Sequence, residues 1–274
     1  MPELPEVETI KNELSPCIVG RQFTGVTVCD AKMVRQPPVE EFCRKLEGQR
    51  VTSLERRGKY LIFRLSGGEV LIIHLRMSGV LLLNPKQPDK YIRVVFHFDR
   101  GNQLAFTDRR RLGALWLVEN EQAIVAKLGP EPLAPEFTSG TLAGRLQKHR
   151  APIKAVLLDQ AFIAGIGNMY ADEALFAAKI HPLREANSLA PQEIRNLHQS
   201  IRDVLWSAIS SKGASVDTYK RPDGELGTAQ FNFRVAHLAG KPCPICGAAI
   251  QRLPIRNRGS YFCPNCQKLP TPDL

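Results

Sequence analysis

Val7, Ile10 and Leu14 recur at helical spacing and predict an amphipathic helix at the start of the chain. Its opening, MPELPEVET, crowds Pro2, Glu3, Pro5, Glu6 and Glu8 together. Proline suits a first helical turn and carboxylates suit the positive end of the helix dipole, so the stretch reads first as helix-start chemistry. From residue 20 to 118 the period shortens. Apolar or alternating runs at 61–65, 70–77 and 91–98, with Gly67-Gly68 and Gly101-Asn102 as turns, predict short strands in a sandwich or barrel-like sheet. A proline-rich stretch at 128–137 reads as a linker, and helical signals follow at 141–150, 152–160 and 169–180. A longer helix is expected after Ser188, with Pro191 near its first turn and Gly213 as terminator. Residues 215–226, carrying Pro222, Asp223 and Gly224, read as a flexible loop.

Composition narrows the function classes. The 274 residues suffice for two modest domains, and 43% hydrophobic content is ordinary for a globular protein. The start is acidic and lacks an apolar h-region, so no secretory signal is expected, and no apolar run is long enough for a membrane span. A net charge of +10, from 37 Lys and Arg against 27 Asp and Glu, points to a polyanionic partner, for which nucleic acid is the usual choice. Cys17, Cys29 and Cys43 are scattered and read as free thiols in a reducing compartment.

The other four cysteines form Cys243-Pro-Ile-Cys246 and Cys263-Pro-Asn-Cys266. Two such pairs offer four thiolates to one tetrahedral Zn2+, with no open position for catalysis. Disulfides and a redox pair are the alternatives, disfavoured by an intracellular setting and by the lack of a βαβ context. Arg252, Arg256 and Arg258 between the pairs suit a hairpin that presents arginines to phosphate or to a displaced base; a solvated surface is the plain alternative. AGIGN (164–168) lies between helical stretches, where backbone N–H groups and the Asn168 amide suit a phosphate, unless the glycines serve only a packed corner. TDRRRLG (107–113) and HLRMSG (74–79) offer two tips, Arg110 with Leu112 and Arg76 with Met77, that could enter a duplex. LERRGKYL (54–61) sets Lys59 after a turn at Gly58, beside Arg56 and Arg57.

In combination these motifs resemble the bacterial formamidopyrimidine-DNA glycosylase family. MPELPEVET, ERRGK, HLRMSG, TDRRRLG, LGPEPL, the stretch around AGIGN and the paired cysteines occur in the family's order from Pro2 to Cys266. The resemblance implies an α+β fold: an N-terminal β-sandwich domain with an N-terminal helix, then a helix–two-turn–helix domain carrying a zinc β-hairpin. The expected boundaries are 1–131, 132–236 and 237–274. It implies base-excision repair of oxidised purines, 8-oxoguanine and formamidopyrimidines, by a bifunctional glycosylase and abasic-site lyase. Pro2, freed by loss of Met1, would be the nucleophile that forms the Schiff base, and Glu3 the acid/base. Lys59 would serve the lesion site and β-elimination, Arg258 the phosphate and δ-elimination. Met77, Arg110 and Leu112 would fill the space left by a flipped base. Asn168 and His149 match phosphate-contact positions, Tyr91 a DNA-binding position, and Glu173 an acid near the nucleophile. One structural Zn2+ is the implied cofactor and damaged double-stranded DNA the partner. A monomer in the bacterial cytoplasm, associated with the nucleoid, is the expected setting.

Four departures stand out: Leu112 replaces a usual phenylalanine, Tyr91 a usual histidine, and His149 another basic residue, while 234–243 lacks a tyrosine-glycine-arginine run. Two other readings compete, an endonuclease VIII-like enzyme for oxidised pyrimidines and a non-catalytic zinc-containing DNA-binding protein. Leu4 and the continuation PEVET favour the purine branch, and intact Pro2, Glu3 and Lys59 speak against a bare binding module.

Overall fold

A computed structural model describes residues 1–87 and 89–269. The chain forms two units, Met1–Ala126 with Ala208–Gln230, and Lys127–Ser207 with the segment from Phe231 onward. The last residues of the third expected segment lie outside the described residues.

In the first unit α1 (Leu4–Ile18) starts after Glu3, its N-cap, so Pro2 precedes the helix and Pro5 is the proline of its first turn. A capping box fixes this start: the Glu3 amide donates to the Glu6 carboxylate at 2.7 Å. β1 (Phe23–Val28), β2 (Val34–Gln36) and α2 (Val39–Leu46) follow. The hydrophobic pattern did not predict α2, which buries only Phe42 and Leu46. Then come β3 (Val51–Arg57), β4 (Tyr60–Leu65), β5 (Val70–His74), β6 (Gly79–Leu83), β7 (Ile92–Phe98), β8 (Gln103–Asp108), β9 (Ala114–Val118) and the short α3 (Gln122–Val125). The run 70–77 is strand only to His74, because residues 75–78 turn with Arg76 at a φ of 54°.

The strands form two sheets, ordered β1-β7-β8-β6 and β2-β9-β5-β4-β3. Val7, Ile10 and Leu14 of α1 share one core with Phe63 and Leu71 of the larger sheet and Phe96 and Phe106 of the smaller. The predicted helix face and the predicted strands therefore meet in a β-sandwich.

Residues 208–230 complete this unit, and the expected loop at 215–226 has neither helix nor strand but carries anchoring contacts. Tyr219 is buried in the core, and its hydroxyl donates to the Lys212 carbonyl at 3.0 Å. Arg221 pairs with Glu13 of α1 at 2.9 Å, and the Leu83 amide of β6 donates to the Pro222 carbonyl at 2.8 Å. The segment is irregular in shape yet tied to α1 and β6, because its polar groups find partners in those elements. Glu6 is fully buried and also accepts the Ala214 amide at 2.8 Å. Gly213, at a φ of 78°, makes this approach possible, since a Cβ there would lie 3.0 Å from Glu6.

The second unit opens with the proline-rich stretch, which packs rather than hangs free: the Gly129 amide donates to Gln160, and Pro130 accepts from Ala164. α4 (Ser139–Leu146), α5 (Ile153–Leu157), α6 (Asn168–Ala177) and α7 (Pro191–Ser210) follow, the unit boundary falling within α7. Lys154 of α5 and Asp172 of α6 form an ion pair with both side chains fully buried. Burial pushes the Asp172 carboxyl up to about 7 against the pull of the Lys154 ammonium. The hairpin β10 (Gln251–Ile255) and β11 (Arg258–Phe262) ends the described chain.

Glu6→Ala leaves two buried amides without their acceptor, each costing about 1–3 kcal/mol, so a loss of about 2–6 kcal/mol is expected in urea unfolding. Glu6→Gln, which keeps one acceptor oxygen, should lose less.

Candidate functional site

The first unit presents the head of α1. Pro2 is buried and Glu3 is only 2% exposed. Arg56, at the end of β3, donates to Glu8 of α1 at 2.7 Å and to the Gly58 carbonyl at 2.9 Å. One guanidinium thus anchors the β3–β4 turn on the first helix, and Gly58 takes the required φ of 56°. Lys59, next in that turn, is 6% exposed. Burial, helped by the Arg76 and Lys59 cations, pushes the His74 imidazole down to about 3, so it is neutral at pH 7. Its Nδ1 accepts the Arg76 amide at 3.0 Å, shaping the 75–78 turn.

Asp108 organises the neighbouring tips. It is fully buried and accepts the amides of Arg110, Leu112 and Gly113 at 3.0, 2.8 and 2.7 Å. The Ser78 hydroxyl also donates to it, so the β5–β6 and β8–β9 connections share one carboxylate. Met77 and Leu112 are 39% and 38% exposed, and Arg110 is exposed. Apolar side chains are held out beside arginine by a buried scaffold, as a wedge requires. Tyr91 is half-buried just before β7, and its carbonyl accepts the Asp108 amide at 2.9 Å. The first unit therefore holds Pro2, Glu3, Lys59, Met77, Tyr91, Arg110 and Leu112.

His149, Asn168, Arg258 and the four cysteines belong to the second unit. His149 is half-buried after α4, its ring edge-on to Phe162 at 5.3 Å. Asn168 opens α6 after the glycine turn, where Gly165 has a φ of 88°. Its Nδ2 donates to the Gly259 carbonyl of β11 at 2.9 Å, while its Oδ1 is buried without a hydrogen-bond partner among the described residues. Glu173 accepts the amides of Arg234, Val235 and Ala236 at 2.8–3.0 Å, which fixes the approach to the hairpin. Arg258 is exposed at the start of β11.

Sequence reasoning missed the roles of Glu6, Asp108 and the Lys154–Asp172 pair. Only Asp108 left a signal: an aspartate followed by three arginines and a glycine suits a loop folded back on its carboxylate.

The sulfurs of Cys243, Cys246, Cys263 and Cys266 all lie within 4.8 Å of one another. Cys243 and Cys266 sulfurs are 3.9 Å apart, and those of Cys246 and Cys263 3.4 Å. Tetrahedral zinc with bonds of about 2.3 Å separates its sulfurs by about 3.8 Å, so the residues fit the ion. Backbone amides of Ile245 and Cys266 point at the Cys243 and Cys263 sulfurs at 3.4 and 3.5 Å, as in zinc knuckles.

A β-sandwich whose first helix is headed by a buried Pro2, joined in sequence to a helical unit with a four-cysteine hairpin, makes a zinc-containing α+β protein, and the comparisons give its class as DNA repair. Residues 1–115 match the family model for the formamidopyrimidine-DNA glycosylase N-terminal domain, 128–220 its H2TH domain, and 240–269 the zinc finger found in FPG and IleRS. A Symbiobacterium thermophilum formamidopyrimidine-DNA glycosylase is 45% identical over 276 residues, covering 98% of this chain and 90% of the relative. One from Chloroflexus aurantiacus is also 45% identical, covering 97% of this chain and 98% of the relative. Among solved structures, a Lactococcus lactis FPG mutant with Fapy-dG containing DNA superposes with a TM-score of 0.91 at 37% identity, covering 98% of this chain and 100% of that one. The L. lactis Fpg with abasic-site DNA gives 0.90 at 37% identity, covering 97% of this chain and 100% of that one. The chain belongs to the formamidopyrimidine-DNA glycosylase family, and its zinc finger carries one structural Zn2+.

Cys246→Ser should abolish stoichiometric zinc, read by metal analysis of the purified protein, and weaken binding to an abasic-site duplex. Asp108→Asn keeps the side-chain shape but replaces one acceptor oxygen with a donor facing amides. An unfolding loss of about 1–3 kcal/mol is expected, and amide exchange should speed up at Arg110, Leu112 and Gly113.

Proposed function

We propose that the chain is a bifunctional glycosylase and abasic-site lyase that removes 8-oxoguanine and formamidopyrimidines from double-stranded DNA in base-excision repair. The observation that carries this reading is the buried Pro2 beside Glu3 at the head of α1, with the Lys59 turn anchored to the same helix through Arg56 and Glu8. Removal of Met1 makes the Pro2 nitrogen a secondary amine. Terminal amines have reference pKa values near ~8, against ~10.4 for lysine, so a usable fraction is neutral at pH 7.

The amine attacks the sugar C1′ of a flipped nucleotide, the bond from C1′ to the base breaks, and the base leaves as it takes up a proton. Glu3 protonates the ring oxygen as the sugar opens, leaving a cationic iminium between Pro2 and C1′. That cation acidifies the C2′ proton. Its loss expels the 3′ phosphate in β-elimination, and a second proton loss expels the 5′ phosphate in δ-elimination. Lys59 serves the lesion site and the proton transfers, while Arg258 steadies phosphate. Met77, Arg110 and Leu112 occupy the vacated stack; Asn168, His149 and Tyr91 lie along the phosphate path. Leu112, smaller than an aromatic wedge, leaves opposite-base preference to Arg110.

The Zn2+ holds the hairpin that carries Arg258 and takes no part in the chemistry. The first unit, Met1–Ala126 with Ala208–Gln230, is the catalytic part, and the second supplies the DNA-binding helices and the zinc hairpin, in a monomer working in the cytoplasm on the nucleoid. Among the described residues no helix is long and apolar enough to cross a membrane.

Borohydride trapping on duplexes carrying 8-oxoguanine or an oxidised pyrimidine tests the reading. A covalent adduct mapping to Pro2 on 8-oxoguanine is expected, and a retained Met1 or an N-terminal tag should abolish it while DNA binding persists. Preference for the pyrimidine lesion would move the chain to the endonuclease VIII-like branch, and binding without adduct would make it a binding module.

A further inference from the structure

Tyr91 carries three cations around its ring. Lys90 Nζ lies 5.3 Å from the ring centroid, and the guanidinium carbons of Arg109 and Arg93 lie at 5.6 and 5.9 Å. Strand register brings them there. Ile92 of β7 pairs with Thr107 of β8, so Tyr91 stands opposite Asp108, whose amide donates to the Tyr91 carbonyl, and Arg109 follows directly. Arg93 sits at the irregularity between Ile92 and Val94, and its Nε donates to the Asp108 carbonyl at 2.9 Å. A bulge at that point re-aims a side chain that regular pairing would direct elsewhere.

Like charges gathered on one ring repel unless an anion joins them. Asp30 pairs with the adjacent Arg111 and also feels the Arg93 charge, and the Asp89 carboxylate accepts the Tyr91 amide at 2.8 Å, but among the described residues neither carboxylate forms an ion pair with Lys90, Arg93 or Arg109. The ring face attracts cations through its quadrupole and so holds the three in place without discharging them.

The geometry points to Tyr91 as a positioning residue: its ring arrays Lys90, Arg93 and Arg109 as a clamp for backbone phosphates, and its hydroxyl makes no required contact. This inference rests on duplex DNA being the partner. Phosphate binding at this corner then belongs to the cations around residue 91 rather than to that residue itself.

Binding of an abasic-site duplex, followed from low to moderate salt, tests it. A variant that neutralises one phosphate fewer has a slope of log K against log salt that is shallower by about 0.9. Arg109→Ala and Lys90→Ala should each flatten it by about that much, and Tyr91→Ala by about 1–2. Tyr91→Phe, which retains the ring, should match the parent chain in slope and affinity. If Tyr91→Phe is as damaging as Tyr91→Ala, the hydroxyl is the contact and the platform is wrong. Unchanged slopes in Arg109→Ala and Lys90→Ala would also overturn it, and these two variants serve even where Tyr91→Ala unfolds. The expected slopes without a borohydride adduct would support the clamp while overturning the catalytic reading.

Discussion

The buried carboxylate of Glu6 is the interaction on which the first unit depends. It caps α1 by accepting the Glu3 amide and receives Ala214 from a segment far along the chain. A carboxylate in a dry interior is tolerated only when hydrogen bonds satisfy it. Satisfying this one fixes three things together: where the helix begins, where Pro2 stands relative to it, and how residues 208–230 close on the sandwich. Helix-start chemistry and the proposed nucleophile are therefore parts of one arrangement, because the cap that begins the helix leaves the proline just outside it.

The second unit relies on buried polar groups in the same way, here around α6. Asn168 reaches β11, Glu173 gathers three amides ahead of the hairpin, and Asp172 takes the Lys154 ammonium. Gln267 donates to the Ile180 carbonyl after the last cysteine. Zinc closes the hairpin on itself, and α6 fixes it to the rest of the unit. Neither suffices alone, since a hairpin of two short strands has little core of its own.

Much of this was legible wherever the signal was local. Helical spacing of Val7, Ile10 and Leu14 located α1, alternation located the principal strands, and the paired CxxC spacing located the metal site with its ligand count. What could not be read depends on partners distant in sequence. Glu6 looked like a dipole-compensating surface acid because Ala214 is invisible from position 6. Lys154 and Asp172 carry no sign of pairing in the sequence, because only the fold makes them neighbours. The stretch 215–226 looked loose from its turn residues, yet Tyr219, Arg221 and Pro222 each find partners in α1, β6 or the core. Short α2 escaped notice because two buried side chains make too weak a period.

The first unit is interrupted in sequence, and this orders events during synthesis. Glu6 and Ala214 are 208 residues apart. At about 5–20 residues per second, a ribosome needs roughly 10–40 s to supply the second after the first. The beginning of the polypeptide is thus made first and its cap completed late, which leaves a period in which an aminopeptidase can reach Met1 before Ala214 joins Glu6. On the proposed mechanism, a proline that works only once unmasked gains that time from the discontinuous topology of the unit.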